Sequence, residues 1–332
     1  GELWYWINRG NYALGAKRIV TGLPAPLSDN AATRWADLNG NGTTDLVYAD
    51  DRAEPRLRTI DVGQLLGCVP SPNLLVGIDN GIGRYTEITH ETSTRFQLAD
   101  AEAGAAWPDP MPFPMDIVSA VVTHDSLGHA YRREFAYHNG YYNPDFRLFA
   151  GFGGVEERIL SGDSTAPPVT RRLAFDVGRE VFALRGALVG QAMETADGAV
   201  FWEETTAWDV RLIVDGVNGV QANFPHPASR TRDIIETGAG APRRIQYEFE
   251  YDDYGNEVEH RAFGVVDGDD RGVYGDERIE RTEFAINEDL WFVRLPARRE
   301  VLGLDGQVLA RTEYYYDDET FSGANFGQVT QG

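Results

Sequence analysis

The stretch that decides the fold runs Asp116-Ile117-Val118-Ser119-Ala120-Val121-Val122-Thr123-His124, then Asp125-Ser126-Leu127-Gly128, then Ala130-Tyr131-Arg132-Arg133-Glu134-Phe135-Ala136-Tyr137-His138. Its first nine residues are mostly apolar and β-branched, which suits a strand. Asp, Ser and Gly then supply turn chemistry. Beyond the turn, Tyr131, Arg133, Phe135 and Tyr137 fall on one face at period two. The segment is predicted to be a β-hairpin. Similar short units bounded by Gly, Asp or Asn return at Leu173, Phe175 and Val177, between Trp202 and Trp208, at Tyr247, Phe249 and Tyr251, and at 312–316. Their intervals are too irregular for a solenoid repeat. The expectation is an all-β chain, a long succession of antiparallel strands.

Composition agrees. Among 332 residues there are 15 Tyr, 16 Phe and 36 Gly, a mixture that favours strands joined by tight turns. Thirty Lys and Arg against 52 Asp and Glu leave a net charge of −22, the wrong sign for a surface that must neutralise phosphates. No nucleic-acid partner is expected. No stretch approaches the roughly 20 apolar residues of a membrane helix, so no membrane span is expected either. Cys68 is the only cysteine, which excludes an internal disulfide and a thiolate metal cluster. The chain opens on Gly-Glu-Leu-Trp and closes on a Gly-rich turn, and is read as a piece of a longer protein.

Near the N-terminus, Asp37-Leu38-Asn39-Gly40-Asn41-Gly42-Thr43-Thr44-Asp45 places oxygen side chains at Asp37, Asn39, Asn41 and Asp45, with glycines that permit a sharp turn. This is the ligand logic of a hard cation, with the Thr43 carbonyl as a further donor and Ca²⁺ as the expected ion. An EF-hand would place a Glu where Tyr48 stands, and strand-type residues flank the loop, so it joins two strands. An Asx-rich hairpin turn without metal is the alternative. Between 67 and 116 the residues Pro70, Pro72, Pro108, Pro110, Pro112 and Pro114 argue against helices, and a connector with a strand near 84–91 is expected.

Other chemistry finds little support. The six histidines show no zinc spacing. His124-Asp125-Ser126-Leu127-Gly128 lacks the first glycine of a nucleophile elbow and sits in a turn. The Gly-rich pieces at 81–83 and 238–240 lack the rest of a dinucleotide fingerprint. Glu248-Phe249-Glu250 and Glu257-Val258-Glu259 have the Glu-x-Glu form used by ADP-ribosyltransferases, but alternation gives a solvated strand face without catalysis. No catalytic residue is assigned.

Several segments, taken in order, resemble the shell-forming B components of Tc (ABC) toxin complexes and the related Rhs or YD-repeat carriers. The 37–45 loop is similar to the FG-GAP or VCBS loop of their β-propeller, and 73–83 to the segment opening their middle region. Phe135-Ala136-Tyr137-His138-Asn139-Gly140-Tyr141-Tyr142, with Arg147, Phe149, Gly151, Phe152 and Gly153 following, resembles their Tyr-rich hairpin and Arg-x-Phe-x-Gly-Phe-Gly signature. Tyr251, Asp252 and Gly255 resemble a YD repeat, and 315–330 another shell segment. The resemblance implies a propeller remnant over 1–66, a connector with the first shell strands over 67–116, and a spirally wound antiparallel β-sheet shell segment over 117–332. It also implies a non-enzymatic role in a secreted toxin complex: sheltering a C-terminal toxin cargo together with the rest of the shell, and docking a pore-forming translocation component. A calcium-stabilised adhesin or ligand-binding β protein is the competing reading, and an ADP-ribosyltransferase-like enzyme the third. Within that frame 146–155 is expected to be a structural corner, and the sheet to pack its aromatics inside the wall with carboxylates in water.

Overall fold

The computed structural model describes residues 2–21, 33–49, 57–66, 74–162, 166–217, 221–235 and 241–316. It is all-β, with antiparallel sheets and two short α-helices among these residues. Strands β1 (Glu2–Tyr5) and β2 (Arg18–Thr21) form a pair. Strands β3 (Thr33–Ala36), β4 (Asp45–Ala49) and β5 (Leu57–Ile60) form a three-stranded sheet, followed by helix α1 (Val62–Leu66).

The other strands make one 14-stranded sheet whose spatial order is the order of the chain. They are β6 (Gly77–Asp79), β7 (Tyr85–Thr92), β8 (Asp116–His124), β9 (Ala130–Asn143), β10 (Leu148–Leu160), β11 (Val169–Asp176) and β12 (Ala187–Thr195), then β13 (Val200–Asp215), β14 (Gln221–Ile234), β15 (Arg243–Tyr251), β16 (Glu257–Val266), β17 (Arg278–Asn287), β18 (Phe292–Leu302) and β19 (Val308–Glu313). Two compact units are defined by contacts: Gly1–Val76 with Thr89–Arg95 and Phe113–Val118, and Gly77–Ile88 with Phe96–Pro112 and Ser119–Gly332.

The hairpin read from 116–138 is present, with Val121 opposite Arg133 and His124 opposite Ala130. Its turn is held by Asp125 Oδ1, which accepts the N–H groups of Leu127 at 2.8 Å and His129 at 2.9 Å. The strands at 84–91, 202–208 and 247–251 are also present, as β7 and parts of β13 and β15. The last expected strand lies earlier than 312–316, ending at Glu313. The shell segment expected over 317–330, the loop 236–240 and the start of the connector, 67–73, lie outside the described residues.

One sequence reading is corrected. A helix, α2 (Ser93–Glu102), stands in the connector. The prolines bracket it rather than interrupt it, and Ser-Thr-Arg-Phe-Gln-Leu-Ala-Asp-Ala-Glu contains good helix formers. Ser93, fully buried, fixes the start by exchanging two hydrogen bonds with Met115: its N–H donates to the Met115 carbonyl at 2.8 Å, and its Oγ accepts the Met115 N–H at 3.0 Å.

Within the 14 strands, extensive contacts run between hydrogen-bonded neighbours. Buried apolar side chains are few in this sheet: Ala120, Tyr141, Ala150, Ala187, Phe263, Val266, Val293, Ala297 and Leu302. A sheet normally hides one face against another layer. Side chains also cover one another along the sheet, as in the stacked Phe224 and His226 rings, 4.9 Å apart, and Phe249 on His260 at the same distance.

Candidate functional site

Three places carry the residues singled out above. The first is the loop from β3 to β4, closed where Ala36 pairs with Asp45. Asp37 organises it: Oδ1 accepts the N–H groups of Gly40 at 2.8 Å and Asn41 at 3.1 Å, and Oδ2 accepts that of Gly42 at 2.9 Å. Gly40 and Gly42 have φ of +70° and +82°, which L side chains rarely adopt. Asn39 Oδ1 accepts the Asn41 N–H, and Asn41 Oδ1 accepts both the N–H and the hydroxyl of Thr43. Asp45 is 2 % exposed; its Oδ2 accepts the Leu38 N–H at 3.0 Å, while its Oδ1 is buried without a hydrogen-bond partner.

Asp61 joins this loop. Its Oδ2 accepts the Nδ2 groups of Asn39 and Asn41, each at 2.7 Å, and its Oδ1 accepts the Gln64 N–H at 2.7 Å, capping α1. Sequence reasoning missed it. An Asp before a short apolar run does signal a helix cap, but nothing in its spacing ties it to Asp37. Among the described residues no three His, Cys, Asp or Glu side chains converge as a metal-holding group. A cation here would therefore draw on amide and carbonyl oxygens as well as carboxylates, an all-oxygen set of the kind calcium takes.

The second place is the Gly-rich segment. Arg147 takes a φ of +51° where the chain enters β10, and a β-bulge lies between Phe149 and Gly151, with Gly151 at φ +117°. A bulge adds one residue to a strand and re-aims the side chains beside it. Phe149 and Phe152 consequently meet edge to face at 5.1 Å, Phe152 lies 4.8 Å from Tyr137, and Trp107 and Phe96 add edge contacts to Phe152 and Tyr137. Burial raises the Tyr137 hydroxyl pKa. Gly153 has no room to spare, since a Cβ would stand 3.2 Å from that of Asn139. The segment is thus a bulge within one continuous strand rather than a corner.

The third is the β15–β16 turn. Asp252 Oδ1 accepts the N–H groups of Tyr254 at 2.9 Å and Asn256 at 2.8 Å, and Asn256 Nδ2 reaches both Asp252 Oδ2 and the buried Val293 carbonyl. Gly255, at φ +79°, presses on Phe224, whose ring would be 3.1 Å from any Cβ. Tyr251, which closes β15, stands edge-on to Phe224 at 5.7 Å. The turn borders an open apolar groove of about 630 Å³ that also includes Ile213, Phe224, Trp291 and Phe292.

The carboxylates of the sheet correct two expectations. Glu259 is buried, not solvated: its Oε2 accepts Nε and Nη2 of Arg281 at 2.8 and 2.6 Å, and Arg261 closes on its other side. Burial alone would raise its pKa, but Arg281 and Arg261 outweigh that and hold it below the usual value. Glu248 and Glu250 both reach Arg261, at 3.5 and 2.8 Å. Asp233 is gripped by Nε and Nη2 of Arg244, both at 2.8 Å, and that double hydrogen bond lowers its pKa. Glu204, also buried, takes Arg232 at 2.9 Å and Gln191 at 2.7 Å. Carboxylates are thus built into the sheet between strands and paired with guanidiniums, Arg261 serving three of them. Period two fixes which face a residue takes, but register decides which cation meets it there.

Comparison with known proteins gives two results. Residues 13–169, just under half of the chain, match the family described as insecticide toxin TcdB middle/N-terminal region. Among solved structures, a Photorhabdus luminescens Tc holotoxin pore matches at 14% identity and TM-score 0.74, over 92% of this chain and 18% of that one. The TcdB2-TccC3 structure without its hypervariable C-terminal region matches at 14% and 0.72, over 90% and 18%, and TcdB2-TccC3-Cdc42 at 14% and 0.73, over 98% and 19%. No curated protein matches. The chain spans less than one fifth of the solved chains it matches. The family match and the fold point the same way: the region 13–169 is similar to the TcdB middle/N-terminal region, and the chain shares its fold with part of the solved Tc toxin structures.

Proposed function

We propose that this chain is a wall segment of a secreted toxin-complex shell that shelters a C-terminal toxic polypeptide, the sheet forming wall and the N-terminal unit, as a propeller remnant, facing a pore-forming translocation partner. One observation carries the reading: a 14-stranded sheet that grows in chain order and spends its buried charges on joining neighbouring strands. A binding domain has reason to concentrate polar groups in a pocket. A wall has reason to distribute them along its seams. The turn at Tyr251, Asp252 and Gly255 and the bulge at Gly151 serve that wall as fixed bends. The loop 37–45 is proposed to hold Ca²⁺, supported by its oxygen donors and the unpartnered Asp45 oxygen.

The test is protease protection. In the intact protein with its C-terminal region, the cargo should resist digestion under native conditions and be cut once the wall is opened by Gly140→Val, whose Cβ would stand 2.7 Å from the Trp107 ring. A cargo digested equally fast in both proteins and when expressed alone would overturn encapsulation.

A further inference from the structure

We propose that the groove across β17, β18 and β19 binds an acidic polypeptide segment, held by Arg294 and Arg299. The groove is open, has a volume of about 790 Å³ and takes in the 255–257 turn. Its lining carries five arginines and three glutamates, whereas the whole chain has 30 Lys and Arg against 52 Asp and Glu. The charge balance of the chain is inverted here.

Three of the five guanidiniums already have partners. Arg278 pairs with Glu280 at 2.8 Å, and Arg281 with Glu259 and Arg311 with Glu300, each at 2.6 Å. Arg294 and Arg299 are exposed, and among the described residues neither meets a carboxylate. Five residues apart on β18, they would point to opposite faces of a regular strand. The register between β17 and β18 shifts between Glu283 and Phe284, where β18 takes two residues against one, and both arginines line the groove. The bulge thus gathers two unpaired positive charges on one surface.

The rest of the lining selects the occupant. Phe284, Val301 and Tyr314 add apolar and aromatic surface beside the guanidiniums, with Arg299 5.8 Å from the centre of the Tyr314 ring. A guanidinium takes a carboxylate through two parallel hydrogen bonds, and a polypeptide supplies carboxylates with apolar side chains between them. A nucleic acid suits the groove less, because its closely spaced phosphates would meet Glu257 in the lining and the net −22 of the chain.

Fluorescence anisotropy on the intact protein at low ionic strength tests this, with a labelled (Glu-Tyr)₃ peptide as the probe. Saturable binding is expected, weakened about tenfold in Arg294→Gln with Arg299→Gln and recovered in part in Arg294→Lys with Arg299→Lys, which returns the charge without the planar fork. Both side chains are exposed, so little change in melting temperature is expected, and each single glutamine variant should show part of the loss. The inference falls if (Glu-Tyr)₃ does not bind the parent, or if the glutamine variants bind it as the parent does. Equally tight binding of a (Lys-Tyr)₃ peptide would overturn it as aromatic adhesion alone. Displacement of the probe by an equal concentration of inorganic phosphate would overturn it as well, since the groove would then select a small anion and not a chain.

Discussion

Two buried carboxylates, one in each unit, solve the same problem differently. Glu259, in the long sheet, has Arg261 from its own strand and Arg281 from the next. Asp45, in the N-terminal sheet, has a backbone N–H on one oxygen and nothing on the other. Burying a carboxylate costs several kcal/mol unless a cation and hydrogen bonds compensate it. The sheet carries its compensation within the sequence. The loop leaves room for compensation from outside. A sheet built on the first plan meets its buried charges with its own side chains, whereas the loop keeps one buried carboxylate oxygen that no hydrogen-bond donor meets.

The strongest way to break the contrast is Glu259→Ala. Full burial would set the loss at about 3–5 kcal/mol, but Arg281 is 53% exposed and Arg261 33%, and water will satisfy them in part. About 2 kcal/mol is expected, read as a fall in unfolding midpoint that is the same with calcium or chelator. A fall that calcium reverses would abolish the distinction between the two regions. Next in size is acid sensitivity. Glu259, Asp233 and Glu134 are all held below their ordinary values, 4.5 for Glu and 3.8 for Asp. A carboxylate depressed in the folded state contributes stability above the unfolded value, and that stability is lost as pH falls through the folded one. The midpoint should therefore be flat, as far as these groups govern it, from neutral pH down to about 4.5 and drop below it. Arg244→Met should shrink the part of that drop owed to Asp233.

Asp45→Asn sharpens the comparison from the other side. In chelator it is expected to be neutral or to raise stability by up to about 1 kcal/mol, since it removes an uncompensated buried charge. In calcium it should lose whatever the ion adds. Smallest is Arg244→Lys: one ammonium replaces the two-point grip of the half-exposed Arg244 guanidinium on Asp233, and a loss below about 1 kcal/mol is expected. Urea unfolding at two pH values would separate it from the parent.

These two regions were unequally legible. Strand alternation and Asp-Ser-Leu-Gly turn chemistry were enough to place the hairpin at β8 and β9, because both depend on residues near in sequence. The buried clamps were not, since Glu259 and Arg281 are 22 residues apart and meet through strand register. The same holds for Asp61, brought to Asn41 from 20 residues away. Helix α2 was hidden by prolines that flank it, which a composition argument counts as if they lay inside.

Strand order gives the sheet a history as well as a form. Because each of its strands pairs with the next in the chain, the entropic cost of closing a loop stays small at every step. The hairpin at β8 and β9 can form before β10 exists, and β10 then finds an edge waiting for it. A growing polypeptide could therefore lay down its sheet in the direction of synthesis, one strand upon another. At each moment the exposed edge would be the place where the next segment is received.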